Sequence, residues 1–99
     1  MTAKLMILYS GIKDPKKFDD YYKNVHIPLA KKIPGIKKII ISKVKGVAVG
    51  KANYYQVVEA YFDDMESLKK AAESKETKEA MKDGLALDPN MTILLAEEE

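Results

Sequence analysis

Ninety-nine residues make one domain, spanning 1–99, with no room for a second. Cysteine is absent, which excludes disulfides, thiol nucleophiles and Cys-ligated metal centres, and the single histidine, His26, excludes a multi-histidine metal site within one subunit. All 17 cations are lysine against 15 acids, and without arginine the bidentate guanine reader and the phosphate fork are missing, so the net charge of +2 does not point to nucleic acid.

The opening MTAKLMILYS lacks the basic region and small-residue cleavage site of a signal peptide, and no apolar run is long enough to span a bilayer; the expectation is a soluble, cytoplasmic protein without membrane contact. Lys4–Ser10 reads as a first strand with two apolar faces, Leu5, Ile7 and Tyr9 on one and Met6 and Leu8 on the other. Asp14-Pro15 reads as an N-cap followed by proline at the first helical position. Phe18, Tyr21, Tyr22, Val25 and Leu29 then fall at helical spacing. Pro28 lacks an N–H and clashes with the carbonyl of Asn24, so the helix is expected to end or kink near His26. Pro34-Gly35 is a sharp stop. Ile36–Val49 is β-branched and predicts a long second strand with a bulge or bend at Gly46, and Tyr54–Phe62 predicts a third. Asp63 or Asp64 caps a second helix, and Ser74 or Lys75 opens a further helical stretch with Ala80 and Met81 facing inward and Gly84 near its end. Leu85–Asn90 reads as a loop, and Met91–Ala96 as a fourth strand before the acidic Glu97–Glu99.

The order βαββαβ, with right-handed crossovers, gives an α+β fold of the ferredoxin-like kind: a four-stranded antiparallel sheet in the order 4-1-3-2 with both helical layers on one face. The other face carries apolar side chains with no helix to cover them, so a second copy is expected to pack sheet to sheet about a two-fold axis as a homodimer. Residues 1–51 carry +9 and residues 52–99 carry −7. This suggests that the lysines of strand 2 (Lys37, Lys38, Lys43 and Lys45) meet strand 4 or the acidic tail of the mate.

The run Phe18-Asp19-Asp20-Tyr21-Tyr22-Lys23-Asn24-Val25-His26-Ile27-Pro28-Leu29 resembles the F-x-x-Y-Y-x-x-x-H-x-P-L signature of EthD-domain proteins, members of the dimeric α+β barrel superfamily. Leu5–Tyr9 resembles the opening strand of that family, Tyr61–Glu66 the start of its second helix, and Pro89-Asn90-Met91-Thr92 its lead into the last strand. Met91 stands where an aromatic is usual, and the loop between strands 2 and 3 reads as short. The resemblance implies the dimeric barrel. It associates the chain with oxidative breakdown of small organic compounds, in a superfamily that also holds cofactor-free monooxygenases, lactone isomerases, polyketide cyclases and haem-degrading enzymes.

His26 is the one side chain that ordinarily changes charge near neutral pH, and it lies one turn after Tyr22. In a pocket between this helix and the sheet, His26 would act as acid or base with Tyr22 orienting the substrate; the alternative is a histidine that caps the helix C-terminus. Glu59 and Tyr61 alternate onto the sheet face away from the helices, and Glu59 there is either a base in an apolar cavity or the partner of a lysine across the dimer. With Tyr9 and Asn90 they complete the candidate ligand contacts. Gly46–Gly50 lacks the GxGxxG spacing, so no nicotinamide dock is visible and no organic cofactor is expected. A small, largely apolar carbonyl or phenolic ligand fits an enzyme that works by proton transfer. A non-catalytic carrier for a partner oxygenase, or a haem or metal binder using His26, stays open.

Overall fold

The computed structural model describes residues 1–99. Strand β1 (Ala3–Tyr9) is followed by helix α1 (Pro15–Tyr21), a π-helical turn (Tyr22–His26), α2 (Ile27–Ala30), β2 (Lys38–Lys43), β3 (Gln56–Phe62), α3 (Met65–Ala72), α4 (Lys75–Leu87) and β4 (Thr92–Glu97). The sheet order β2-β3-β1-β4 and its antiparallel pairings are those the βαββαβ pattern predicts.

Local chemistry sets most boundaries. The Asp14 carboxylate accepts from Lys17 N–H with Pro15 in the first turn, Asp64 accepts from Ser67 N–H at 2.7 Å, and the Ser74 hydroxyl accepts from Thr77 N–H at 3.1 Å. Pro34-Gly35 forms a turn closed by Ile36 N–H to the carbonyl of Ile33, with Gly35 at φ +82°, a conformation that favours glycine.

Two expectations need correction, and a third is narrowed. Of the end or kink expected near His26, the regular α-helix is interrupted there but the helical path does not end. The missing N–H of Pro28 is absorbed by a π turn, in which Ile27 N–H reaches back to the carbonyl of Tyr22, and helix resumes through Ala30. The second strand is six residues, not fourteen, and the β2–β3 connection, residues 44–55, is long rather than short. Val47 and Val49 there are exposed, and Gly46 sits in open space rather than in a bulge: strand propensity without a partner strand or a core to face does not make a strand. Helix α4 runs past Gly84 to Leu87, because Gly84 lets the helix approach the sheet. A Cβ there would lie 3.0 Å from the Met91 sulfur and 3.4 Å from the Tyr9 hydroxyl.

The odd residues of β1 pair with the even residues of β3 beneath the helices, and Gln56, Val58, Ala60 and Phe62 are buried there. One core cluster gathers Ala3, Ile33, Ala60, Phe62, Leu68, Ala71 and Ala80; a second gathers Tyr9, Phe18, Tyr22 and Val58. The opposite face is uncovered. Its cross-strand rows run Lys38–Tyr61–Lys4–Ala96, Ile40–Glu59–Met6–Leu94 and Ser42–Val57–Leu8–Thr92, with Leu94 48% exposed.

Candidate functional site

Between the two core clusters lies a cavity of about 60 Å³. Leu5, Ile7 and Tyr9 of β1 and Val58 and Ala60 of β3 form its floor, Tyr22, His26 and Ile27 one wall, and Thr77, Ala80 and Met81 of α4 with Met91 another. The lining is apolar except for His26, Thr77 and the two phenol hydroxyls, and the Thr77 hydroxyl accepts from Ser74. This volume is far below the ~300–1,000 Å³ that drug-sized ligands occupy. It takes a small molecule or the reacting end of a larger one. No group of three or more His, Asp or Glu side chains converges anywhere in the fold.

The π turn positions the chemistry. Residues five apart in an α-helix point to different sides; the wider turn returns Tyr21 and His26 to one side, where both reach Asp83 of α4. Tyr21 O–H donates to Asp83 Oδ1 at 2.6 Å, and His26 Nδ1 lies 2.9 Å from Asp83 Oδ2. An ionised carboxylate only accepts, so Nδ1 carries a proton; in the neutral imidazole Nε2 then holds the lone pair. Nε2 makes no hydrogen bond within the chain, and the His26 ring lines the cavity. His26 is 6% exposed and stacks on Tyr22, with ring centroids 4.6 Å apart and planes 25° from parallel. It does not cap a helix end, because the helix continues beyond it.

Tyr9 and Tyr22 meet hydroxyl to hydroxyl at 3.5 Å, with Tyr9 donating. Burial pushes the Tyr9 phenol up to about 12 and the Tyr22 phenol higher still, so both are neutral donors at physiological pH. Phe18 supports them, edge-on to Tyr9 and stacked on Tyr22. Behind this group Lys43 donates to Asp19 and to Gln56, and Tyr55 O–H donates to Asp19 at 2.9 Å, tying α1 to the sheet. Lys43 therefore faces the helices and is not free to meet a partner's acidic tail. Lys37 pairs with Asp63 of its own chain at 3.5 Å.

The structure brings Tyr9, Tyr22 and His26 together and separates the other candidates from them. Glu59 and Tyr61 lie across the sheet on the uncovered face. There Lys4 donates to Glu59 at 2.9 Å, Tyr61 O–H donates to it at 3.2 Å, and the ammonium of Lys38 sits 4.8 Å from the centre of the Tyr61 ring. The lysine partner of Glu59 is thus in the same chain. Asn90 is exposed in the turn before β4, where its N–H donates to Asp88. The sequence reading missed Asp83, although a carboxylate three residues after inward-facing Ala80 was visible as a charge beside the apolar stripe of that helix.

The chain is 35% identical to an EthD family protein from Bacillus halodurans C-125, with a TM-score of 0.90 and full coverage of both chains. It is 27% identical over 97 residues to an uncharacterized 11.0 kDa protein in the thcB-thcC intergenic region of Rhodococcus erythropolis, covering 97% of this chain and 94% of that one. SnoaB, a cofactor-independent oxygenase from Streptomyces nogalater, shares the fold at a TM-score of 0.71 and 13% identity, over 99% of this chain and 93% of that one. Residues 13–86 match the EthD domain, and the chain belongs to that family.

Proposed function

We propose that this protein binds a small, uncharged, largely apolar molecule in the cavity and moves a proton on it with His26, without an organic cofactor in that step. The observation that carries the reading is the Asp83–His26 pair: a carboxylate 2.9 Å from Nδ1 orients the one histidine that lines an otherwise apolar cavity. Aspartate-oriented histidine is the arrangement that acid–base catalysis uses, because it fixes both tautomer and ring plane. Neutral phenols and a lining without fixed charge disfavour ionic ligands. The association of EthD proteins with breakdown of small organic compounds names the same ligand class, and SnoaB is an example of this fold acting without a cofactor.

The working unit is a homodimer. The uncovered face combines Ile40, Val57, Met6, Leu8 and Leu94 with the Lys4–Glu59–Tyr61 group, an apolar surface with a polar centre that a second copy would cover. A thermal-shift screen of small ketones, aldehydes and phenols tests the site, since a ligand that binds the native state raises its melting temperature by mass action. Hits lost in His26→Gln support the proposal. Hits unchanged in that variant with no turnover indicate a carrier, and an absence of hits for either protein refutes a small-molecule site.

A further inference from the structure

The two phenols at the cavity hold between them two hydroxyl protons, and only one is spent. Tyr9 donates to Tyr22 at 3.5 Å, and Tyr22 O–H has no acceptor in the protein although its residue is 3% exposed. Whichever way that contact is oriented, one O–H of the pair is left over, and both residues line the cavity. A buried donor without an acceptor is costly, and a position that needed only an aromatic ring would be filled by phenylalanine at no such cost. The same cavity is lined by His26, whose ring stacks on that of Tyr22 with centroids 4.6 Å apart. In its neutral form, with Nδ1 held by Asp83, His26 offers a proton acceptor at Nε2 beside the surplus phenol donor.

From this juxtaposition we infer that Tyr22, backed by Tyr9, is an oxyanion donor and that the substrate is a small carbonyl compound with an acidic hydrogen on the adjacent carbon. The inference rests on the reading of His26 as a base and adds the substrate class. In the step, His26 Nε2 takes the hydrogen from the carbon next to the carbonyl. The C–H electron pair becomes a C=C bond, and the carbonyl π pair moves to oxygen, which accepts the Tyr22 O–H. Return of the proton from Nε2 to the same or the conjugated carbon restores a carbonyl compound, with no oxidant or reductant consumed. Tyr22 touches the developing charge and is the catalytic residue; Tyr9 acts through it as a positioning residue that polarises the Tyr22 hydroxyl.

The test is hydrogen–deuterium exchange of acetone and butan-2-one in D2O, followed by proton NMR against a buffer blank, with the intact protein and its Tyr22→Phe, Tyr9→Phe and His26→Gln variants, each first checked for a cooperative melt. Exchange by the wild type that His26→Gln abolishes is expected. Tyr22→Phe should lower kcat about 10²–10³-fold with KM little changed. Tyr9→Phe should lower kcat roughly three- to tenfold, the worth of one neutral hydrogen bond, again through kcat rather than KM. If Tyr22→Phe exchanges ketones as fast as the wild type while His26→Gln does not, the oxyanion assignment is overturned and the base stands. If the wild type exchanges no ketone yet keeps histidine-dependent hits in the thermal screen, the substrate class is overturned and the site stands.

Discussion

Removing the Asp83 carboxylate should separate stability from function in a way the geometry makes quantitative. In Asp83→Ala, His26 Nδ1–H is left without an acceptor on a residue 6% exposed, and a 2.9 Å bond to a carboxylate is lost. A hydrogen bond to a charged group is worth about 1.5–3 kcal/mol, and an orphaned buried donor costs about 1–3 kcal/mol, two views of the same loss. The Tyr21 bond adds little because that ring is 38% exposed, and releasing a carboxylate only 17% exposed returns part of the cost. The net is a destabilisation of about 1.5–3 kcal/mol, or roughly 6–20 °C in a domain of this length. Asp83→Asn keeps the shape and should melt within about 1 kcal/mol of wild type. Its amide can donate to Nδ1, however, which moves the imidazole proton to Nε2 and destroys the base that faces the cavity. Turnover should fall by two orders of magnitude or more, as the same exchange does in histidine–aspartate triads. Because the chain has one histidine, its imidazole ¹⁵N spectrum is unambiguous. The wild type should show a protonated Nδ1 and a bare Nε2, and Asp83→Asn a mixture. A wild-type spectrum with the proton on Nε2, or an Asp83→Ala protein that melts with the wild type, would refute the assignment.

Pro28→Ala restores an N–H to the helix and should leave the melting temperature unchanged or raised. It should also let the ladder return to α register, turning Tyr21 and His26 to different sides and abolishing turnover; a variant that keeps both activity and the wild-type His26 ¹⁵N shifts would disprove the role given to the π turn. Gly84→Ala gains about 1 kcal/mol of helix propensity but drives the Met91 tip and the Tyr9 hydroxyl aside, so ligand response should be lost at nearly constant stability, as calorimetry with any screening hit would report. The Lys4 hydrogen bond holds the Glu59 carboxyl below its ordinary 4.5. Its contribution is therefore complete at pH values above 4.5 and is lost as pH falls through the folded value. This predicts a fold that loses a little stability in acid, read as melting temperature against pH, and a Glu59→Gln variant that lacks this part of the acid dependence. Parallel acid curves for the two proteins would remove the Lys4–Glu59 pair as its source.

Features with local causes were readable from the sequence. Asp14, Ser74 and Pro34-Gly35 announce caps and a turn because the groups that satisfy the backbone lie within three residues of it. The sheet order and the two faces of β3 follow from element order and alternation. What could not be read was decided at long range. The strand pattern after Lys43 has no partner because β3 begins only at Gln56, and nothing within 44–55 says so. His26 finds its acceptor 57 positions away, on a helix that packs against α2, α3 and the π turn and meets Met91 and Tyr9 at Gly84. The motif around His26 located the site through resemblance. The chemistry of its residues favoured a helix cap, and the helix that continues through the π turn takes that role away.

That turn also links several departures from local rules that gather around the cavity, apart from the unpartnered Gln56 Nε2. A proline within a helical path, a glycine within α4, a histidine and an aspartate beneath a helical layer and a phenol with an unspent proton are each a cost that a stability-optimised chain would remove. Alanine at positions 28 and 84 suits a helix better by propensity, with the Met91 tip giving way at 84, and phenylalanine at 9 and 22 keeps the rings. All of these residues except Pro28 line the cavity or pack directly on its wall, and Pro28 sets the register of the turn that does. Defects scattered by drift would have no reason to share a cavity. A chain carrying all four substitutions should therefore be more stable than the natural one and unable to bind, and the difference between the two would measure how much stability the site withholds from the fold.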